Sequence, residues 1–417
     1  MTIKNQVNPY FAEKKLNKIE KSKLEKDGLL VGSEIEKFAK IGWENMDETD
    51  LKLRLKWYGM FWRPKTPGKF MLRLRIPNGV LTSNQIRVVA SIVERYGENG
   101  SCDITTRQNL QLRGILLCDL PEILKRLREA GLSSIQSGFD NPRNVTGNPL
   151  AGIDPNEIVD TRPYTTKLQN FLTNNCEGNS EYSNLPRKWN TAVAGSKDNF
   201  LLHNDIVFHP VENNGVMGFS IWIGGILSPQ MNAYAFPMNV WVMPDEICNI
   251  MDAVIRLWRD NGEREKRTKG RFRMYLDEIG HEEFRNQVEK LYGTLTPDPG
   301  STFENSPRSH FGINQQKQNG LYFAGIHVPV GRLTAEDLQD IATASLEYGN
   351  GEIRLTEDQN IIITGLTSEK VEELKTDTLL QRFPLAPTKG ESRTTRVTDG
   401  NTRGMAITLR EQLLSTN

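Results

Sequence analysis

Alternating apolar and charged residues mark the first strong element of the chain. Leu72, Leu74 and Ile76 fall on one face of an extended segment, while Arg73 and Arg75 fall on the other. A Pro-Asn-Gly sequence follows at once and supplies turn chemistry. The pattern therefore predicts a strand that ends in a turn and carries arginines on its polar face.

A helix is predicted directly after this turn. Thr82 and Gln85 have the spacing of a capping box, and apolar residues then recur at helical intervals as far as Gly97, a helix stop. Alternation then returns and predicts a second strand. Its polar side carries the following residues: Thr105, Arg107, Asn109, Gln111 and Arg113.

The same order of landmarks recurs roughly 250 residues later, which indicates an internal duplication of a β-α-β unit. Residues 322–328 form the equivalent predicted strand, a Pro-Val-Gly turn follows, and Gln359-Asn360 precedes an apolar strand as Gln108-Asn109 does. Between the copies, strands at 219–223 and 239–242 and an amphipathic helix at 246–259 predict a separate α/β layer.

Composition narrows the class of protein. Lys plus Arg total 52 and Asp plus Glu total 52, so the balanced charge argues against a bulk nucleic-acid binder. Four cysteines without a CxxC pair exclude a disulfide scaffold and favour a reducing, cytoplasmic compartment. No apolar stretch reaches the ~18 residues of a membrane span. The length predicts two to three domains.

The arginines are the sharpest chemical signal. Four guanidinium groups on one sheet face (Arg73, Arg75, Arg107 and Arg113) are costly to bury unless anions neutralise them. Because arginine binds carboxylates and phosphates bidentately, the face predicts a polycarboxylate or polyphosphate ligand. The alternative is a solvated sheet face. No phosphate-binding loop, dinucleotide fingerprint or H-E-x-x-H motif is present.

Several longer motifs, in order from about Tyr58 to Pro387, resemble those of ferredoxin-dependent nitrite reductases within the nitrite/sulfite reductase family. The motifs occupy residues 102–109, 148–155, 160–163, 185–190 and 310–313. The resemblance implies an α+β fold: duplicated ferredoxin-like half-domains plus a siroheme-binding α/β domain, with the second siroheme half largely missing. The implied domains are a lysine-rich arm and lead-in (1–57), half-domains at 58–150 and 319–386, a siroheme-type domain (151–318) and a truncated or divergent second one (387–417).

The resemblance also implies an activity and a site. The activity is the six-electron reduction of nitrite to ammonia, with siroheme as cofactor and reduced ferredoxin as donor. The residues matching siroheme contacts are Thr105, Arg107, Asn109, Gln111, Arg113, Arg187 and Gln359. The residues matching the nitrite pocket are Arg73, Arg143, Lys188 and Asn190.

Asn190 favours nitrite over sulfite, because the family's sulfite reductases usually have lysine there, which suits a dianionic substrate. The alternatives are an assimilatory sulfite reductase and a non-catalytic homologue that binds a tetrapyrrole or an anion. Ferredoxin is acidic, so the lysine-rich start and the run Arg264–Arg271 are candidate docking surfaces, although this run is equally suited to binding siroheme carboxylates. A monomer in the cytoplasm or plastid stroma is expected, with no nucleic-acid partner.

The resemblance breaks at the family's [4Fe–4S] ligands, which are cysteine thiolates. Thr398 and Gly404 stand where the first cysteine pair belongs, and Asn417 precedes the place of the second pair. The sequence therefore predicts that the cluster ligands are not present in this chain and that its C-terminal part is truncated or altered. On that basis the chain alone is not expected to complete the reduction.

Overall fold

The computed structural model describes residues 15–97, 100–196, 201–228, 231–304 and 310–387. The chain forms two compact units, each assembled from separate segments. The first unit takes its described residues from Met1–Phe61, Ile135–Val145 and Pro163–Pro307, and the second from Trp62–Ser134, Thr146–Arg162 and Arg308–Asn417.

Both helices and strands are distributed over the two units. The helices are α1 (Lys18–Glu25), α2 (Ile35–Ile41), α3 (Glu48–Lys52), α4 (Ser83–Tyr96), α5 (Leu120–Glu129), α6 (Arg162–Thr173), α7 (Ile247–Asn261), α8 (Phe272–Ile279), α9 (His281–Tyr292), α10 (Ala335–Glu347), α11 (Ser368–Lys375) and α12 (Leu379–Arg382). The strands are β1 (Met60–Phe61), β2 (Lys69–Arg73), β3 (Val80–Thr82), β4 (Ser101–Ile104), β5 (Leu110–Leu116), β6 (Thr146–Gly147), β7 (Thr191–Val193), β8 (Ile206–Asn213), β9 (Val216–Ile223), β10 (Ile226–Leu227), β11 (Asn232–Ala233), β12 (Phe236–Val242), β13 (Thr296–Pro297), β14 (Gly312–Gln315), β15 (Leu321–Ile326), β16 (Arg332–Thr334), β17 (Glu352–Leu355) and β18 (Ile361–Thr367). No helix in these described ranges is long and apolar enough to cross a membrane.

The second unit contains the predicted duplication. In the first repeat, β5 lies between β2 and β4 and is antiparallel to both; in the second, β18 lies in the same way between β15 and β17. β2 and β4 are therefore not neighbours, because β5, the last strand of the first repeat, lies between them. β18 separates β15 and β17 in the same way. The duplication is confirmed, and the simple β-α-β pairing is replaced by a split one.

A short strand from each repeat completes the sheet of the other. β3 pairs with β17 through Leu81 and Ile353, and β16 pairs with β4 through Leu333 and Cys102. Helices α4 and α10, which follow these exchanged strands, pack on each other. The two repeats therefore form one structural body inside the second unit.

The predicted start of α4 is confirmed. The Thr82 hydroxyl accepts from the Gln85 N–H and the Gln85 side chain accepts from the Thr82 N–H, which satisfies two of the free donors at the helix start. Thr334 and Asp337 repeat this capping box at α10. Gly97 follows the last residue of α4 at the predicted position.

The predicted continuous strand through residues 104–113 is wrong. Residues 102–104 and 110–112 pair with each other as an antiparallel hairpin, with Cys102 opposite Leu112 and Ile104 opposite Leu110. Gln108 has a φ of 53°, in the left-handed region, so the chain reverses there. Thr105, Arg107 and Asn109 consequently lie in the turn, and their period-two spacing is not a strand face.

The first unit is built on a sheet with the order β13-β12-β9-β8-β7, in which only the β7–β8 pairing is parallel. Helix α7 forms at the predicted place, and the buried Trp258 on its apolar face packs against Trp189 with ring centroids 5.3 Å apart. Helices α1 to α3, which lie within the predicted lead-in, also belong to this unit. Residues 1–14 of the predicted lysine-rich arm lie outside the described ranges.

Candidate active site

A row of polar residues crosses the first-repeat sheet of the second unit. Arg73 on β2 is the cross-strand partner of Gln111 on β5, Gln111 is the partner of Asp103 on β4, and Asp103 is the partner of Arg332 on β16. Arg113 lies two residues along β5 from Gln111 and therefore on the same face. The sheet thus brings together the predicted residues Arg73, Gln111 and Arg113.

Asp103 is the carboxylate of this face. It is 1% exposed. Arg113 Nε donates to its Oδ2 at 2.6 Å, and Arg332 Nε donates to its Oδ1 at 2.8 Å. One carboxylate is therefore shared by two guanidinium groups, one from each repeat, and the positive charge of the face exceeds the negative.

Arg73 is the residue most affected by this excess. Burial, together with the like charges of Arg107, Arg113 and Arg63, lowers the pKa of Arg73 to about 10. Arg107, which lies in the β4–β5 turn, is the largest of these charge contributions. An anion on this face would relieve the repulsion.

Equivalent turns of the two repeats hold the polar residues at 105–109 and 356–360. In the first, the Thr105 N–H donates to Asn109 O at 2.8 Å; in the second, the Thr356 N–H donates to Asn360 O at 3.0 Å. Each turn has a glutamine with positive φ, Gln108 at 53° and Gln359 at 66°. Such a conformation is uncommon outside glycine and asparagine, which indicates that side-chain bonds keep the turns in place.

The two glutamines make different bonds. Gln108 Nε2 donates to Gly147 O, and the Gly147 N–H donates to Gln108 Oε1, both at 3.0 Å. Gln359 Nε2 donates to the main-chain oxygen of Ile104 at 2.8 Å. Gln359, one of the predicted siroheme contacts, is 3% exposed. Its bond to Ile104 links the second repeat to the end of β4.

In the first unit, Asp140 is the buried carboxylate of a basic cluster. Arg267 donates to both of its oxygens at 2.7 Å, and Lys23 Nζ lies 2.7 Å from Oδ2. Burial alone would raise the pKa of Asp140, but the charges of Lys23 and Arg267 outweigh it and hold the pKa below its usual value.

Arg143 is fixed by main-chain oxygens. Its Nη1 donates to Ser137 O at 3.0 Å and its Nη2 to Phe139 O at 2.8 Å. The Arg143 N–H donates to Trp189 O at 2.8 Å. This last bond joins the loop that carries Arg143 to the segment that carries Arg187, Lys188 and Asn190.

The segment 187–190 combines cations with a buried amide. Burial and the neighbouring charge of Arg267 lower the pKa of Arg187. Asn190 is 1% exposed, and its main-chain N–H donates to Asp205 Oδ2 at 2.9 Å. Arg271 donates to both oxygens of Asp205 at 3.0 and 3.3 Å. Predicted residues 143, 187, 188 and 190 are therefore brought into one neighbourhood of the first unit.

The run Arg264–Arg271 is divided between side chains that pair with internal carboxylates and side chains that are exposed, such as Lys266 and Lys269. Arg264 is 2% exposed and donates to Glu20, while Arg267 and Arg271 donate to the fully buried Asp140 and Asp205. Internal carboxylates thus engage its three arginines at 264, 267 and 271. The sequence alone does not show which charged side chains of the run point inward, and its role as a docking surface stays a prediction.

The chain is similar to several ferredoxin–nitrite reductases. The ferredoxin–nitrite reductase of Synechococcus elongatus is 49% identical over 377 residues, covering 89% of this chain and 74% of the relative. The chloroplastic ferredoxin–nitrite reductase of Arabidopsis thaliana is 46% identical, covering 90% and 67%. The chain belongs to the nitrite/sulfite reductase family. Residues 138–295 match the family's nitrite and sulphite reductase 4Fe-4S domain, and 63–130 and 314–379 match its ferredoxin-like half domain.

A solved structure of similar fold supports the same conclusion. The structure of the Mycobacterium tuberculosis NirA protein has a TM-score of 0.83 and 28% identity, covering 90% of this chain and 71% of that one. The family and the fold class predicted from sequence are confirmed. The predicted domain boundaries and the role of each site residue stay predictions.

The family uses siroheme and a [4Fe–4S] cluster. The face around Arg73 carries excess positive charge, which lowers the pKa of Arg73. This face fits a polycarboxylate such as siroheme. Of the four cysteines, Cys102 is buried in β4, Cys118 is exposed, and Cys176 and Cys248 are partly buried. Thr398 and Gly404 lie outside the described residues. No chemical step is therefore assigned to the cluster.

Sequence reasoning missed the carboxylates of both clusters. These are Asp103, Asp140 and Asp205, each of which is at most 1% exposed and paired with at least one arginine. Asp103 lies within the alternating pattern, two residues before Thr105, so its place on the polar face was available from periodicity. The partners of Asp140 and Asp205 are 127 and 66 residues away in the chain, which no local pattern can indicate.

Proposed function

We propose that the protein is a siroheme-dependent nitrite reductase that takes electrons from reduced ferredoxin and converts nitrite to ammonia. The relatives at 49% and 46% identity are named ferredoxin–nitrite reductases, and the names do not favour a sulfite reductase. The observation that carries the proposal is the excess of positive charge around Arg73, Arg107 and Arg113, which calls for an anionic ligand with several carboxylates.

The proposed siroheme contacts follow from this charge and from the turns. Arg107 and Arg113 supply cations for carboxylates, and Gln111 adds an amide between them and Arg73. Thr105 and Asn109 close the turn that presents Arg107, and Gln359 anchors the opposite turn to Ile104. Arg187, whose pKa is also lowered, is the contact proposed in the first unit.

The proposed substrate residues are Arg73, Arg143, Lys188 and Asn190. When bound, siroheme would supply the iron at which nitrite is reduced and would pass on the electrons that reduced ferredoxin delivers. The residues of the chain attract the anion, orient it and deliver protons as its N–O bonds break. Lys188 is the proposed proton donor, because an ammonium gives up a proton far more readily than a guanidinium. Arg143, held by Ser137 O and Phe139 O, acts as a fixed positive charge.

The remaining features of the proposal concern the setting of the enzyme. Ferredoxin and nitrite are the partners named by the relatives. The protein is proposed to act as a monomer in the cytoplasm or the plastid stroma.

The test is a spectrum followed by a titration. The chain is expressed together with siroheme synthesis, and siroheme absorption bands that shift when nitrite is added are expected. Dithionite-driven loss of nitrite separates an enzyme from a homologue that only binds the tetrapyrrole. Absence of siroheme bands, or bands that nitrite leaves unchanged, would contradict the proposal.

A further inference from the structure

Asn190 and Asp205 are the residues that immediately precede two parallel strands. Thr191 on β7 is the register partner of Ile206 on β8. The Ile206 N–H donates to Asn190 O at 3.2 Å, which extends the ladder by one main-chain bond. The Asn190 N–H, by contrast, donates to the side chain of Asp205 at 2.9 Å. A carboxylate therefore takes the place of a ladder acceptor at this end of the sheet.

The same carboxylate holds the start of a helix. Arg271, the residue before α8, donates to both Asp205 oxygens. Asp205 is fully buried and Arg271 is 7% exposed, so each serves as the counter-ion of the other. The Asp205 side chain thus ties together the beginnings of β7 and α8, while its own main-chain O accepts from the Gly224 N–H at 2.9 Å.

The side chain of Asn190 lacks an anchor of this kind. It is 1% exposed, and its Oδ1 has no hydrogen-bond partner within the described part of the chain. A buried amide oxygen without a donor is unusual in folded proteins. The direction in which this amide points is therefore set by the main chain of Asn190. That main chain is held by its N–H bond to Asp205 and by the bond that its oxygen accepts from the Ile206 N–H.

We infer that Asp205 is a positioning residue that sets the selectivity for nitrite over sulfite. It fixes the main chain of Asn190 and neutralises Arg271, so that the pair beside Asn190 has no net charge. The inference rests on the proposed function, because it concerns the same reaction. A neutral pair does not distinguish a monoanion from a dianion, whereas an isolated cation there favours the dianion sulfite.

Two substitutions of opposite charge test this inference. In Asp205→Asn, Arg271 keeps its charge and loses its counter-ion, so sulfite affinity should rise relative to nitrite by roughly five- to tenfold. In Arg271→Gln, Asp205 keeps its negative charge, so the ratio should move the other way. General damage to the fold would lower the affinities for sulfite and for nitrite together. It would not move the sulfite-to-nitrite ratio in one direction in Asp205→Asn and in the other direction in Arg271→Gln.

The measurement is the shift of the siroheme absorption on titration with nitrite and with sulfite, at alkaline pH where sulfite is dianionic. Asp260→Asn is the matched control, because Asp260 is likewise the carboxylate partner of a buried arginine, Arg259, at 2.6 and 3.0 Å. Its affinity ratio should equal that of the unmodified protein. A nitrite response of the unmodified protein tests the proposed function separately.

A second measurement does not require siroheme. Asp205→Asn should increase amide hydrogen exchange in peptides covering residues 187–193, and Asp260→Asn should leave it unchanged. The inference stands if exchange rises and the two affinity ratios move in opposite directions. It is overturned if both ratios stay at the unmodified value, if they move in the same direction, or if exchange at 187–193 is unaffected.

Discussion

Arg332 of the second repeat donates to Asp103 of the first at 2.8 Å, across the pairing of the exchanged strand β16 with β4. The bond places Asp103, the carboxylate partner of Arg113, in contact with arginines of both repeats. The internal duplication therefore does more than repeat a fold: it supplies a cation to the polar face of the other copy. This relationship leads to the first prediction.

Asp103→Asn should destabilise the protein strongly. The substitution leaves Arg113 and Arg332 without their shared counter-ion on a face that already carries excess positive charge, and the expected loss in the free energy of unfolding is about 2–4 kcal/mol. Urea denaturation measures it. Asp277→Asn is the control, because Asp277 forms a half-exposed i,i+4 pair with Arg273 worth about 0.5 kcal/mol or less. Equal losses in the two variants would contradict the prediction.

Arg73→Gln should have opposite effects on stability and on cofactor binding. The pKa of Arg73, about 10, is below its ordinary value, so the charged form is disfavoured in the folded state, and at pH 7 that penalty is fully present. Removing the charge should raise the unfolding free energy of the siroheme-free protein by about 1–2 kcal/mol. Siroheme affinity should fall by roughly tenfold, since one cation of the face is lost.

Denaturation of the siroheme-free protein and titration with siroheme measure these two effects. Arg128→Gln is a suitable control, because Arg128 is an exposed residue of α5. A variant of Arg73 that is both less stable and unchanged in siroheme affinity would show that its charge is structural.

Local patterns predicted some elements of the second unit well. The Thr82–Gln85 capping box and the Gly97 stop were sufficient to place α4, because caps act within one helical turn. The β4–β5 turn was missed because polar residues continue at every second position through it, and the residue that reverses the chain is Gln108, which is not a turn-forming residue type. The turn is closed by the main-chain bond from the Thr105 N–H to Asn109 O, which the sequence pattern does not indicate.

Long-range pairings could not be predicted at all. The exchange of β3 and β16 requires knowing which edge each short strand finds, and both strands have only three residues. The arginines of the Arg264–Arg271 run were recognised as important, but their partners Glu20, Asp140 and Asp205 are distant in sequence. The sequence therefore identified the candidate site residues and the arginine run. It did not identify the carboxylates that pair with these arginines.

Asp140 should make the protein sensitive to acid. Because Lys23 and Arg267 hold the pKa of Asp140 below its unfolded value of about 4, its contribution to stability is present above that pH and is lost as the pH falls through the lower folded value. Asp140→Asn should cost about 3 kcal/mol or more at pH 7. The unfolding free energies of the two proteins should converge on acidification.

Urea denaturation at a series of pH values between neutrality and roughly pH 3 checks this expectation. Asp245→Asn, at a fully exposed position, should follow the unmodified protein throughout. Curves for Asp140→Asn and the unmodified protein that stay parallel in acid would mean that Asp140 is not the titrating group.

Asn190→Lys should shift selectivity from nitrite toward sulfite. The substitution buries a second cation near Arg271 and exceeds the charge that Asp205 can neutralise, so a dianion gains more than a monoanion, by about tenfold in the ratio of affinities. Asn190→Met adds comparable length without charge and separates size from electrostatics. Titration of the siroheme absorption with the two anions measures the ratio for both variants. If methionine shifts the ratio as much as lysine does, the shape of the pocket and not its charge distinguishes the substrates, and the argument that connects Asn190 to nitrite fails.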